Sequence, residues 1–350
     1  MLADRAKEAA GAVYSSIYSV PQGLIFLLNT TSIPDGYRRF DELDNRHPVG
    51  AGSTYSPKDT GGAQASISRS SSTKSGHSGD AATFVGPTSG GSNVNYGKGY
   101  ATAGAHEHSI TAKYDRSYQS LIFLKATAPH ANFPADAIIL GKAETSPIAG
   151  LSACYEDNYI LRGSSAIASG GGLINKACSS DGWHTHSVDN TRSSGSDSVY
   201  VSNYSGGHSH GVTMAVSDEE LKRAYLTAWT KASEFAAEAG IIAMWEGVTP
   251  PPKWHLCDGT DGTLDLRDYF IILSSGGNAG TNYDQSNRIY ITASLNSITN
   301  NHSHQGSSIS TSGTWATAHY SMDNTHSHSS TSAWQDYVPP YYGLTFVERI

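Results

Sequence analysis

The sequence predicts a mostly β protein, an elongated and intertwined β fibre built from three related units in tandem with short connecting helices. Three observations predict it: a weakly charged, Gly- and Ser-rich composition, a repeated plan of short apolar runs and turns, and histidines spaced two apart. Charged residues make up 15% of the 350 residues, against about 25% in ordinary globular chains. Solubility then rests on Ser, Thr, Asn and 36 glycines, a composition of loops and short strands rather than helices. Residues 60–80 hold 13 Ser, Thr or Gly in 21 positions, too few apolar side chains to bury a core unaided.

Charge and cysteine usage narrow the function classes. With 23 Lys and Arg against 31 Asp and Glu, the net charge is −8. Binding to a phosphate backbone depends on clustered cations that release counterions, and this chain has none clustered. Apolar runs such as Leu24-Ile25-Phe26-Leu27-Leu28 fall far short of the roughly 20 residues of a membrane span. The N-terminus has no basic segment followed by an apolar one, so no signal peptide is expected. Cys154, Cys178 and Cys257 are odd in number and lack C-x-x-C spacing, which argues against a disulfide framework or a thiolate zinc site.

Histidine is the unusual residue. Fifteen histidines would give about 0.6 H-x-H patterns by chance in a chain of this length. There are five: His106/His108, His184/His186, His208/His210, His302/His304 and His326/His328. In a strand, residues two apart share a face and lie about 6.6 Å apart. Their imidazoles can then converge on one cation at about 2.1 Å from each nitrogen. Two ligands hold a transition metal weakly, so a pair needs completion from elsewhere. Two pairs make a four-coordinate site and three make an octahedral one, suited to Zn, Fe, Cu or Ni.

The pairs repeat. His184 and His302 are 118 residues apart, as are His208 and His326, and within each unit the pairs are 24 apart. Around them the chain repeats a plan: Gly240-Ile241-Ile242-Ala243-Met244-Trp245, Trp254-His255-Leu256-Cys257-Asp258-Gly259, Leu264-Asp265-Leu266-Arg267-Asp268-Tyr269-Phe270, and a closing Pro339-Pro340-Tyr341-Tyr342-Gly343-Leu344. A related plan runs from Gly23-Leu24-Ile25 through Leu43-Asp44-Asn45-Arg46-His47-Pro48-Val49-Gly50 to Tyr118-Gln119-Ser120-Leu121. A weaker copy holds Ala137-Ile138-Ile139-Leu140 and Tyr159-Ile160-Leu161-Arg162-Gly163. In the first unit the leading pair has decayed to His77-Ser78-Gly79. The expected boundaries are an N-terminal helix within 1–18, units at 19–128, 129–217 and 240–350, and a connecting helix at 218–239. That connecting helix rests on the capping box Ser217-Asp218-Glu219-Glu220 and on Leu221, Tyr225, Trp229 and Ala232 at helical spacing. Residues 3–17 read as the other helix. Against the connecting helix stands Leu226-Thr227-Ala228-Trp229, which lies 118 residues before Leu344-Thr345-Phe346-Val347, an expected strand.

The plan Gly-Ile-x-x-x-Trp, Pro-x-x-Trp-x-x-Cys-Asp-Gly, Asp-Leu-Arg-x-x-Phe and Pro-Pro-Tyr-Tyr-x-Leu resembles the phage tail collar domain. The resemblance is good over 240–350, fair over 19–60 and 117–127, and thin in the middle unit. It implies three collar-like units in a virion protein, a tail fibre or fibre tip made in the host cytoplasm. Its implied partners are other tail proteins and a bacterial surface receptor such as lipopolysaccharide or an outer-membrane protein, with no nucleic acid, no membrane insertion and no enzymatic activity. Several fibres of T4-like phages also carry repeated H-x-H pairs in Ser/Gly-rich strands, where three chains share a six-histidine site. Carried over, iron (Fe2+), with zinc as the alternative, falls to His106, His108, His184, His186, His208, His210, His302, His304, His326 and His328. Family members reach threefold order by homotrimerisation, whereas here three units lie in one chain. The second pairs alone already sum to six imidazoles. Two assemblies follow: a homotrimer, or a single-chain pseudo-trimer whose first layer holds four paired histidines and His77.

Competing chemistries are weaker. Gly207-His208-Ser209-His210-Gly211 fits G-x-S-x-G, but that elbow needs an apolar strand before it and a helix after it. A metallohydrolase needs three ligands and an open position, and no H-E-x-x-H is present. A structural filament or adhesin subunit that reuses the unit for assembly is the remaining alternative. Receptor contacts are expected from Tyr200, Tyr204, Trp315 and Tyr320, in the stretches between paired histidines, because Tyr and Trp offer rigid contact area at low entropic cost.

Overall fold

A computed structural model describes residues 19–71, 107–155, 159–178, 211–274, 278–295 and 332–350 with their side chains. It describes the strands 78–79, 83–87, 93–98, 100–103, 184–189, 204–206, 298–311 and 314–326 by backbone. Among these residues strands predominate, joined by turns and irregular chain, with one 3-10 turn at Asp41–Leu43 as the helical element. The expected helix at 3–17 lies outside the described residues.

The apolar run that opens each unit becomes a buried strand: Ile25–Leu28, Ala137–Gly141 and Ile242–Trp245. Each pairs antiparallel with the strand that closes its own unit, in Ser109–Ala126, Arg223–Thr230 and Tyr341–Arg349. Registers match from unit to unit: Ile25 faces Lys125, Ile138 faces Thr230, and Ile242 faces Glu348. The opening strands also meet one another. Leu27 pairs with Ile138, Leu140 with Ile242, and Met244 returns to Ile25. Three equivalent contacts close a ring within one chain.

A second cycle runs through the inner strands His47–Gly50, Ile160–Gly163 and Phe270–Leu273. Each closing strand lies parallel to the inner strand of the next unit: Tyr118 beside Ile160, Arg223 beside Phe270, Tyr341 beside His47. The inner strands touch at Ile160–Ile272 and Phe270–Val49. At the third contact Asn45 N donates to Gly163 O at 2.9 Å, and Gly163 N donates to Arg46 O at 2.9 Å.

This closure explains why the opening runs are apolar without alternation. Strands buried on both faces have no polar side to present. Ile25, Leu27, Ile138, Leu140, Ile242 and Met244 enter the inner core, together with Leu121, Leu226 and Leu344 from the closing strands. Phe26, Ile139 and Ala243 point the other way, into an outer core with Phe133, Trp229, Phe235 and Trp254. The short joins between units cross at this outer core, where Val20 pairs with His130 and Phe133 with Phe235.

The residues expected as a connecting helix are strand instead: Val212–Glu220 and Arg223–Thr230, followed by irregular chain. The spacing of four that suggested a helix is also an even number, so Tyr225 and Trp229 share a face of a strand as well as of a helix. Tyr225, Thr227 and Trp229 favour strands, and pairing with Ile138–Gly141 and Phe270–Leu273 decides the outcome. Ser217 sits at a bulge between Val216 and Asp218 rather than at a helix cap. The two glutamates of the expected capping box pair with arginines of other units: Glu219 with Arg116 at 2.7 Å and Glu220 with Arg288 at 2.5 Å.

On one side of the ring lie two facing sheets. One holds Ala65–Ser70, the first part of Ser109–Ala126 and Ala168–Cys178, and the other Val212–Glu220, Arg288–Leu295 and Ala333–Asp336. Each unit supplies two of the six strands. Ile67, Ile110, Tyr114, Met214, Ile289, Ile291 and Tyr337 fill the space between them. Gln335 Nε2 donates to Ser66 O at 3.0 Å across one seam.

The seam between the third and first units is fastened by Asp268. Its carboxylate accepts from Thr54 N at 2.8 Å, Ser53 Oγ at 2.8 Å, Ser53 N at 3.1 Å and Tyr55 N at 3.2 Å. Burial alone raises such a carboxyl, but these donors outweigh it and hold Asp268 below the usual carboxylate range. Asp268→Ala is expected to cost about 2–4 kcal/mol in urea denaturation at pH 7. A depressed carboxyl stabilises the fold above its unfolded pKa and loses that contribution as pH falls through its folded pKa. The variant should therefore show a smaller acid-induced loss than the parent below about pH 4; an unchanged acid limb would disprove this role.

Candidate metal centres and a buried polar junction

Five of the ten candidate ligands lie on strands described by their backbone. His184 and His186 fall on His184–Asp189, which pairs with Tyr204–Gly206 of its own unit and with Tyr100–Ala103 of the first unit. Ser78 and Ser187, the residues that follow His77 and His186 in sequence, both pair with Thr102. Ser78 of the first unit and Ser187 of the second are thus brought to one level of one sheet. Two strands of the second unit and two of the first join here in one sheet.

His302 and His304 lie on Ile298–Thr311, and His326 ends the partner strand Thr314–His326. His302 pairs with Met322, His304 with Tyr320, and Ile298 with His326. By this register all three histidines belong to one face of the ladder. His326 is four positions from the level of His302, about 13 Å along the strands. His302 and His304 therefore lie at different levels of this ladder from His326. His108 is buried at the lead-in to Ser109–Ala126, where its backbone N–H donates to Ser71 Oγ at 2.8 Å. His106, His208, His210 and His328 lie outside the described residues. Among the residues described with side chains, no cluster of three or more His, Cys, Asp or Glu is arranged to hold a metal.

Of the expected receptor contacts, Tyr204 pairs with His186, Trp315 with Ser310 and Tyr320 with His304 by backbone register. Tyr200 lies outside the described residues. None of Cys154, Cys178 and Cys257 is joined in a disulfide, and burial pushes the Cys257 thiol well up.

A polar group not expected from sequence sits where Ser109–Ala126 passes from the six-strand layer into the ring. Its pairing with Ala168–Cys178 slips between Asp115 and Tyr118, and the slip turns Asp115 inward. That carboxylate, 4% exposed, accepts from Arg162 Nη1 at 3.1 Å, Gln64 Nε2 at 3.2 Å and Tyr337 Oη at 3.3 Å. Arg162 also bonds Asn45 Oδ1 at 3.1 Å and lies 4.1 Å from the Tyr118 ring centroid. Arg116, lowered to about 10 by burial and then by Arg223, pairs with Glu219, which burial pushes up. Burial, then Asp115, raises the Tyr337 phenol. All three units meet in this network, and its charges are matched: Arg162 with Asp115, Arg116 with Glu219. The sequence held one hint, two charges at Asp115 and Arg116 interrupting an otherwise alternating strand.

Next to it His47 is fully buried. Its Nδ1 lies 2.8 Å from Leu161 O, and its ring is 6.3 Å from that of Tyr118. No helix among the described residues is long and apolar enough to cross a membrane. In comparisons with known proteins, the chain matches no protein family, no curated protein and no solved structure.

Proposed function

We propose that this protein is a structural, receptor-binding component of a bacteriophage tail fibre, stapled by histidine-coordinated metal ions and carrying its threefold order within one chain. The observation that carries the reading is the closed cycle of pairings, Leu27–Ile138, Leu140–Ile242 and Met244–Ile25, beside the five H-x-H pairs of the sequence. Tail collar units reach threefold order by assembling three chains; here one chain supplies three opening, three inner and three closing strands.

The chemistry of the donors fits such a role. Strands rich in Ser and Gly gain little from hydrophobic burial, so binding energy at shared cations becomes folding energy. The second pairs of the three units, His106/His108, His208/His210 and His326/His328, offer six imidazoles for one octahedral ion, and iron or zinc suits them. A non-catalytic, virion-bound role accords with full coordination, because catalysis needs an open position. The bacterial receptor would be lipopolysaccharide or an outer-membrane protein.

Native mass with metal analysis, before and after a strong chelator, tests the assembly. A single chain should carry about one or two metal ions, whereas five shared planes in a homotrimer give about 1.7 per chain at three times the mass. Purified protein should block phage adsorption to its host. Polymerisation without adsorption block would favour the filament reading, and turnover lost with any one pair the metallohydrolase.

A further inference from the structure

His47 is the odd member of a threefold set. At the head of each parallel ladder, the inner-strand residues facing Tyr118, Arg223 and Tyr341 are Ile160, Phe270 and His47. All three are buried to 0% exposure. Two are apolar, as a ring buried on both faces demands. The third is an imidazole: Nδ1 faces Leu161 O and so carries the proton it donates, while Nε2 is buried with no hydrogen-bond partner.

The surroundings leave nothing to receive a second proton's charge. Asp115, Arg116 and Tyr118 face His47 from the first unit's closing strand, Arg162 from the second unit's inner strand, and Tyr341 from the third unit's closing strand. Asp115 is already engaged by Arg162, Gln64 and Tyr337, and Arg116 by Glu219. On its own segment, Arg46 bonds Glu42 O at 2.8 Å, and Asp44 pairs with Arg39. Phe270–Leu273 brings no ionisable side chain, and Asp268 before it is spent on residues 53–55.

We propose that His47 is an acid-sensing latch: the closed seam, where the first unit's inner strand is gripped between the other two units, has no place for a second proton on this ring, so mildly acidic medium favours the opened seam, in which the ring is protonated. The inference concerns the ring and stands apart from the tail-fibre reading. Burial lowers the His47 pKa from 6.5 to about 4, with Arg162 and Arg116 adding to the effect and Leu161 O and Asp115 opposing it. A depressed histidine stabilises the fold fully above about pH 6.5 and loses that contribution as pH falls toward 4, where the loss levels off. At pH 5 the ratio of closed to open seam should be about 30-fold below its value at pH 7.5. Asp268 stays ionised at pH 5, and Glu219, pushed up by burial, gains rather than loses stability as pH falls.

Hydrogen exchange at pH 7.5 and pH 5, corrected for the intrinsic rate, reads this on the full chain. Protection of amides in 47–50, 160–163 and 341–344 should fall by about 30-fold in the parent, with the outer core unaffected. His47→Phe, copying the equivalent position of the third unit, should cut the acid loss to under about 3-fold. His47→Gln, whose amide can still donate to Leu161 O, should do the same and serves if the larger ring disturbs folding. The proposal is overturned if the parent shows no loss at pH 5, if the loss is uniform along the chain, or if either folded variant keeps the parent's loss.

Discussion

A chain ending at residue 239, without the third unit, is expected not to fold. Two of the three contacts between opening strands disappear, Leu140–Ile242 and Met244–Ile25. So do two of the three parallel ladders, leaving His47–Gly50 and the Arg223–Leu226 stretch without ladder partners. Ile25, Leu27, Ile138, Leu140, Leu121 and Leu226, all at most 1% exposed, would then face water. Full burial of such side chains contributes about 1.5–3 kcal/mol each. Exposing six of them costs about 9–18 kcal/mol, as much as the roughly 5–15 kcal/mol that holds an ordinary domain together. Far-ultraviolet circular dichroism and exchange of all amides within seconds should report the collapse, and adding residues 240–350 in trans should restore strand signal. A cooperative thermal transition in the fragment alone would show that each unit has its own core and that the cycle of pairings is incidental.

Gly50→Ala should be the most damaging single methyl. Gly50 lies where the first unit's inner strand passes the third unit's turn, and a Cβ built on it would stand 1.6 Å from Leu266 O. That neighbour is main chain, bonded through its N–H to Cys257 O at 2.9 Å, while Asp268 N donates to Gly50 O at 2.8 Å. Neither side can yield without breaking the seam that Asp268 fastens. Overpacking ordinarily costs about 1–3 kcal/mol when flexible side chains can move. Here the expected loss is at least about 4 kcal/mol, because backbone must shift and its bonds break. Gly172→Ala serves as control: nothing lies within 4 Å of its Cβ, though φ is +97°, so only backbone strain of about 1–2 kcal/mol is expected. Urea denaturation of the two variants should separate them by several kcal/mol; equal midpoints would mean that the close approach at Gly50 relaxes freely.

Much of the architecture can be read from residue pattern alone. Continuous apolar runs at 24–28, 137–140 and 241–244 mark strands with two buried faces, and their shared turns mark repetition. The 118-residue spacing of Leu226-Thr227-Ala228-Trp229 and Leu344-Thr345-Phe346-Val347 pointed to two copies of one closing strand, and both are strands. The helical reading of 218–239 failed because spacings of four serve both periods and a Ser-x-x-Glu box can occupy a bulge. Pairing partners 47 or more residues away decided between the two, and no local signal contains them.

The candidate site divides in the same way. Five H-x-H pairs are visible without coordinates because chance does not produce them, and period-2 geometry alone assigns each pair one face. His47, Asp115, Arg116 and Arg162 were invisible as a group, since 47, 115–116 and 162 meet only through the cycle that passes from each unit to the next. By itself, then, the sequence determined strand content, repetition and the pairing of histidines, all properties of neighbours along the chain. The tertiary structure decided that the three repeats close on one another within a single chain, and that one histidine falls where its two counterparts are Ile160 and Phe270. Closure is a matter of contacts between distant segments, and burial of a charge-bearing ring acquires its meaning only from what those segments bring beside it.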